Sequence, residues 1–119
     1  MDRAETGRRG EAAAAKYYLD RGCRLLAHNF RTRMGELDLV LCEGETVVIC
    51  EVKTRTPGSF GTPGEAVNAA KQKRLILAAK RFLQQNGLLD APVRFDVAEV
   101  TPTENGWRVH CIRAAFEVS

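Results

Sequence analysis

Residues 36–55 read ELDLVLCEGETVVICEVKTR. Two apolar runs flank Glu43-Gly44-Glu45-Thr46. Gly44 followed by one residue suits a two-residue type II′ hairpin, because glycine takes the positive φ at its first central position. With Gly44 and Glu45 as the turn, Glu43 opposes Thr46. Counting back along both strands places Asp38 opposite Glu51 and Glu36 opposite Lys53. Side chains alternate faces along a strand. Glu36, Asp38 and Val40 therefore share one face, and Leu37, Leu39 and Leu41 the other. On the partner, Val47, Ile49, Glu51, Lys53 and Arg55 share a face. Asp38, Glu51 and Lys53 then converge on one side of a sheet, a placement that a one-residue slip would undo.

Carboxylates directly opposite each other repel. Either one takes a proton or a cation sits between them. Magnesium keeps several waters and is held by one or two carboxylates plus substrate phosphate. A metal-bound water is a better nucleophile, and a neighbouring lysine can orient it or offset charge building on a phosphorane-like transition state. Such a site suits phosphodiester hydrolysis. The plain alternative is an ion-paired patch on a solvated face, with Glu36 on Lys53 and Asp38 on an arginine.

Outward from this hairpin, the sequence predicts a helix from about Gly7 to Asp20, capped by Thr6, favoured by Ala12–Ala15 and ended by Gly22. Strands are expected near Arg24–Arg31, Glu36–Cys42 and Thr46–Thr54. Pro57, Gly58, Gly61, Pro63 and Gly64 mark a loop from Arg55 to Gly64. A long helix is expected over about Glu65–Asn86, followed by strands at Val93–Val100 and Trp107–Ile112 joined by the turn-rich Pro102–Gly106. The order αβββαββ predicts a mixed α/β sheet of about five strands with helices on its faces. The 119 residues fit one domain, 1–119.

Both helices aim polar groups toward the sheet. Glu11 shares a stripe with Ala14, Ala15 and Tyr18, although a first-turn glutamate also suits the helix dipole. Leu75, Ile76, Ala79, Phe82 and Leu83 form the apolar stripe of the second helix, which becomes polar at Gln72 and Asn68. Gln72 can reach the site, or the helix start can simply emerge into solvent. In VRFDVAEV, Phe95 is read as core, and Arg94 with Asp96 as a structural ion pair.

Composition sets wide bounds. Apolar residues make up 45% of the chain, enough for a core without disulfides. No apolar run approaches the roughly 18 residues of a membrane helix, and the N-terminus lacks an apolar leader. The expected location is cytoplasmic, without membrane association. Cys23, Cys42, Cys50 and Cys111 lack zinc-site spacing and read as reduced apolar residues. The net charge of +3 is mild, but Lys53–Arg81 holds seven basic residues and one acid, Glu65. That excess suits a polyanion such as nucleic acid, or a merely solvated helix face.

Asp38 on one strand and Glu51-x-Lys53 on the next resemble the PD-(D/E)xK nuclease superfamily. The longer stretches GRRGEAAAAKYYLDRGCRLLAHNFRTRMGELDLV, EVKTR, FGTPGEAV, KQKRL and RFDV resemble the bacterial YraN-like family, which is similar to Holliday-junction resolvases. The resemblance implies a restriction-endonuclease-like fold. By motif position it implies Asp38 and Glu51 as metal ligands, with Glu11, the first-helix glutamate, completing the metal set or standing just behind it, Lys53 as the motif lysine and Gln72 as a helix residue beside the site. Leu37 stands where the superfamily's name has proline.

The resulting expectation is an endonuclease dependent on Mg2+ or Mn2+, acting on DNA, including branched or structured forms. Arg31, Arg33, Arg55, Lys71 and Lys73 would contact phosphates. Resolvases commonly act as dimers, which admits a homodimer here. The alternatives are a non-catalytic nucleic-acid-binding module on a nuclease fold, and a protein-interaction domain whose basic helix meets an acidic partner.

Overall fold

The computed structural model describes residues 2–55 and 67–117. Apart from Arg55, the predicted loop to Gly64 and the helix start at Glu65 lie outside them. The elements are α1 (Arg3–Leu19), β1 (Arg24–Arg31), β2 (Glu36–Glu43), β3 (Thr46–Thr54), α2 (Ala69–Gln85), β4 (Val93–Thr103) and β5 (Gly106–Phe116). This is the predicted αβββαββ order. The strands form one sheet in the order β1-β2-β3-β4-β5. The β3–β4 pair is parallel and the others are antiparallel. A parallel pair needs a long crossover, and α2 lies in it. The mixed α/β arrangement is consistent with the restriction-endonuclease-like fold.

Element ends differ from expectation for local reasons. Asp2, rather than Thr6, caps α1: its Oδ1 accepts from Glu5 N at 2.8 Å, and the Thr6 hydroxyl donates back to Asp2 O. Asn68 caps α2, accepting from Lys71 N at 2.9 Å, so the helix begins at Ala69. Strand β4 continues through Pro102 because β3 pairs only as far as Val100. Beyond that point the proline's missing N–H leaves no β3 carbonyl unpaired.

The helices pack on opposite faces. Ala14 and Tyr18 of α1 cover Leu39, Leu41, Val48, Cys50, Ala98 and Val100. On the other face Leu75, Ala78, Ala79, Phe82 and Leu83 of α2 cover Leu37, Val40, Val47, Ile49, Phe95 and Val97. Phe95 is therefore core, as read from the sequence. Asp96, 1% exposed, accepts from Arg94 Nε at 2.9 Å, Tyr18 Oη at 2.7 Å and Ala114 N at 3.0 Å. The Arg94–Asp96 ion pair is thus a buried structural element. The four cysteines are free. No helix among the described residues is long and apolar enough to cross a membrane.

Gly10 sets how closely α1 approaches the sheet. A Cβ there would lie 2.8 Å from Thr54 Oγ1 and 2.9 Å from Val100 Cγ2. Val100 is buried and stiff at χ1, so it cannot easily yield. Gly10→Val is expected to cost about 1–3 kcal/mol through overpacking, measured as a lowered urea midpoint with an unchanged m-value.

Candidate active site

The hairpin has the register that Gly44 predicts. Gly44 takes φ of 60°, and the ladder runs from Glu43↔Thr46 to Leu39↔Cys50. It ends there, one step before Asp38 and Glu51. Beyond that point the Asp38 side chain substitutes for the missing ladder bond: its Oδ2 accepts from Val52 N at 2.9 Å. Strands β2 and β3 therefore part at the two carboxylates.

The parting coincides with a twist shared by β1 and β2. Val40 packs on the α2 side and Leu39 and Leu41 on the α1 side, as alternation requires. Leu37, however, packs on the α2 side. The expectation that Leu37, Leu39 and Leu41 share a face is thus corrected at Asp38. On β1 the same slip occurs, since Ala27 and Phe30 both pack on the α2 side. Between them Asn29 has φ of 51°, a left-handed conformation that asparagine tolerates better than most residues. A residue of one strand thus changes face together with its neighbour on the next. Sequence alternation alone could not find this, because it assumes extended φ throughout.

Glu51 is 6% exposed. Its Oε2 is buried without a hydrogen-bond partner, although Lys71 Nζ stands 3.1 Å away in an ion-pair contact. Burial, followed by hydrogen bonding and charge repulsion from Glu51, pushes the Asp38 carboxyl up to about 8; Glu11 adds to the repulsion and the Val52 N–H opposes it. The pair is thus relieved by a lysine on the Glu51 side and by a proton on Asp38.

The other expected site residues divide. Glu11, half-buried on α1, accepts from Asn29 Nδ2 at 3.2 Å and acts on Asp38 through its charge. Lys53 is half-buried, with no ion-pair partner among the described residues. The Glu36–Lys53 ion pair of the alternative reading does not form among the described residues, and Glu36 instead meets Arg31 at 3.5 Å. Gln72 Nε2 turns back to donate to Val67 O at 3.1 Å. The site residue supplied by α2 is its neighbour Lys71.

Two expected phosphate contacts are also engaged elsewhere. Lys71 holds Glu51, and Arg55 donates through Nε and a terminal nitrogen to Glu99 Oε2 at 3.2 and 3.0 Å. Glu99 is 8% exposed, and a buried carboxylate requires such a partner. Sequence reading missed Glu99 because the parallel β3–β4 register joins segments that no turn connects. Arg33 and Lys73 are exposed, as is Arg31 in its loose contact with Glu36.

Among the described residues no group of three or more His, Cys, Asp or Glu is arranged to hold a metal. The Asp38–Glu51 pair nevertheless fits a hard divalent cation. A buried carboxylate oxygen without a hydrogen bond and a neighbouring carboxyl held toward its protonated form are both features that a cation would relieve. Two carboxylates suffice for magnesium, whose remaining positions go to water and phosphate.

Residues 10–100 match the model of Uncharacterised protein family UPF0102. The chain is similar to a UPF0102 protein of Desulforapulum autotrophicum, 45% identical over 111 residues that cover 93% of this chain and 92% of the relative. A UPF0102 protein of Symbiobacterium thermophilum is 48% identical over 112 residues, covering 92% and 94%. One of Anaeromyxobacter dehalogenans is 44% identical over 115 residues, covering 97% and 86%.

The raised Asp38 carboxyl has a consequence for stability. Between the ordinary value of 3.8 and about 8, the folded protein retains a proton that the unfolded chain has released. Stability therefore falls as pH rises through that interval. In chelator, wild-type urea midpoints are expected to decline across it more steeply than those of Asp38→Asn, which has no proton to lose. Parallel profiles would show that Asp38 does not carry the effect.

Proposed function

The chain belongs to the uncharacterised protein family UPF0102, and we propose that it is a metal-dependent endonuclease of the PD-(D/E)xK type, acting in the cytoplasm on DNA, branched or structured forms included. The observation that carries this reading is the Asp38–Glu51 pair at the parting of β2 and β3, with Lys53 two residues beyond Glu51. It is supported by the motif resemblance and by the β2–β3 pairing, whose ladder ends one step before Asp38 and Glu51.

In this reading Asp38 and Glu51 hold Mg2+ or Mn2+, which would acidify a water and polarise the scissile phosphate. The Val52 N–H fixes one Asp38 oxygen and thereby orients the carboxylate. Lys53, on the same strand as Glu51, offsets negative charge that grows on the phosphate oxygens. Glu11 concentrates negative charge on the site from α1 and, through Asn29, ties that helix to the twist in β1. Gln72 anchors the start of α2 on Val67 O and so positions Lys71. Lys71, the countercharge of Glu51 in the structure, would meet phosphate if a cation took over that charge. The resolvase-like resemblance extends the proposal to a homodimer.

A second reading, a non-catalytic nucleic-acid-binding module, is favoured by one observation: Lys71 already neutralises Glu51 without a metal. The two separate in an assay of labelled linear, flapped and four-way-junction DNA with Mg2+, Mn2+ or chelator. The expected result is metal-dependent cutting that falls about 100-fold or more in Lys53→Ala and in Asp38→Asn. Binding without cutting under either metal would leave the binding module as the function.

A further inference from the structure

The β1–β2 turn and the C-terminal half of α2 enclose an open groove of about 1100 Å3, lined by Arg31, Arg33, Lys80, Arg81, Gln84 and Gln85, with Thr32, Met34 and Leu77 between them. No acidic side chain is among its lining residues. Arg33, Lys80 and Arg81 have no ion-pair partner among the described residues. The Arg31–Glu36 contact is 3.5 Å between side chains 78% and 54% exposed, a geometry that holds Arg31 weakly. The groove thus differs from the cations beside the buried acids: Arg55, Lys71 and Arg94 are engaged by carboxylates.

The turn that forms one wall is tightly bonded. Thr32 Oγ1 accepts from Met34 N at 3.0 Å and Gly35 N at 3.1 Å, and Thr32 N donates to Gly35 O at 2.8 Å. Gly35 seats the turn directly on α2: a Cβ there would lie 3.1 Å from the Arg74 carbonyl oxygen. Arg33 is therefore carried on a turn fixed against the helix that carries Lys80 and Arg81. Cations held on rigid elements lose little freedom on binding. At the tip, Met34 is 53% exposed and offers an apolar surface to a sugar or base.

We propose that this groove binds the phosphodiester backbone of nucleic acid flanking the site of cleavage. The proposal rests on the endonuclease reading, because the groove lies on the helix that begins at the carboxylates. Lys71 touches Glu51, and at 1.5 Å per residue Lys80 lies about 14 Å farther along α2. That span is roughly four base pairs of duplex. Guanidinium groups pair with phosphate through parallel hydrogen bonds and ammonium groups act as point charges. The two glutamines add neutral donors. An acidic protein segment would use the charges but would give Gln84, Gln85 and Met34 no comparable role.

The test is equilibrium binding of a short labelled DNA duplex in chelator, where no cutting competes, over a range of salt concentrations. Arg33→Ala/Arg81→Ala removes two groove cations. Arg3→Ala/Arg24→Ala removes the same charge from exposed positions outside the groove. Thermal melts establish that both variants fold. The groove variant is expected to bind about 10-fold or more weakly, with a log K against log salt slope shallower by about 2; the control is expected to keep the wild-type slope. Wild-type binding with an unchanged groove-variant slope, or equal losses in both variants, would overturn the groove while leaving the endonuclease reading intact. Absence of wild-type binding to the duplex would overturn the groove, the cutting assay with metal deciding the endonuclease reading separately, and binding of labelled polyglutamate in its place would identify an acidic protein partner.

Discussion

The candidate site depends on a hydrogen bond that a regular sheet would not contain. Where the β2–β3 ladder ends, the Val52 N–H is met by the Asp38 carboxylate rather than by a backbone carbonyl. A carboxylate accepting an N–H inside a sheet resolves two demands together. The amide has a partner, as a half-buried amide requires. The Asp38 carboxyl is fixed in orientation beside Glu51, whose charge helps hold it toward its protonated form. The parting of the strands follows from that substitution, since a side chain reaches farther than a main-chain carbonyl.

The remaining architecture holds this parting open. The shared twist at Asn29 and Asp38 turns Leu37 and Phe30 into the α2-side core. The strand ends are thereby anchored after they leave regular alternation, and Phe30 stacks edge-on against Phe82 with ring centroids 5.3 Å apart. From the other face, α1 brings Glu11 to the same region and bonds it to Asn29. Gly10 lets the helix lie close on Thr54 and Val100 of β3 and β4. Stability and site geometry are coupled here: the positive φ at Asn29 is a local strain that apolar packing on one side and a hydrogen bond on the other compensate.

The sequence makes the fold legible to the extent that local rules govern it. Gly44 sets the hairpin register, and the hairpin register brings Asp38 beside Glu51. The apolar stripe of α2 identifies its buried face, although the cap at Asn68 sets the helix start later than composition suggests. Less legible is whatever depends on a single backbone angle or a long-range register. Gln72 and Lys71 are adjacent, and about 100° of rotation on a helix decides which reaches Glu51. Arg55 reads as a surface cation until the parallel pairing of β3 with β4 places Glu99 within its reach. Gly10 reads as an ordinary helix interruption, because its value lies in an atom it lacks.

The division of the basic residues follows from where the acids are buried. Glu51, Asp96 and Glu99 are each less than 9% exposed, and each is met by a lysine or arginine. A buried carboxylate left alone would carry a severe desolvation cost, so these pairings take precedence over surface roles. A count of positive charge along the chain therefore overstates what is free to meet a ligand near the carboxylates, where Lys71 and Arg55 are engaged. It understates the contrast between that region and the outer half of α2, where Lys80 and Arg81 face no acid. The same pairing fixes the role of Lys71 in the structure: from the first turn of α2 it neutralises Glu51, which is 6% exposed.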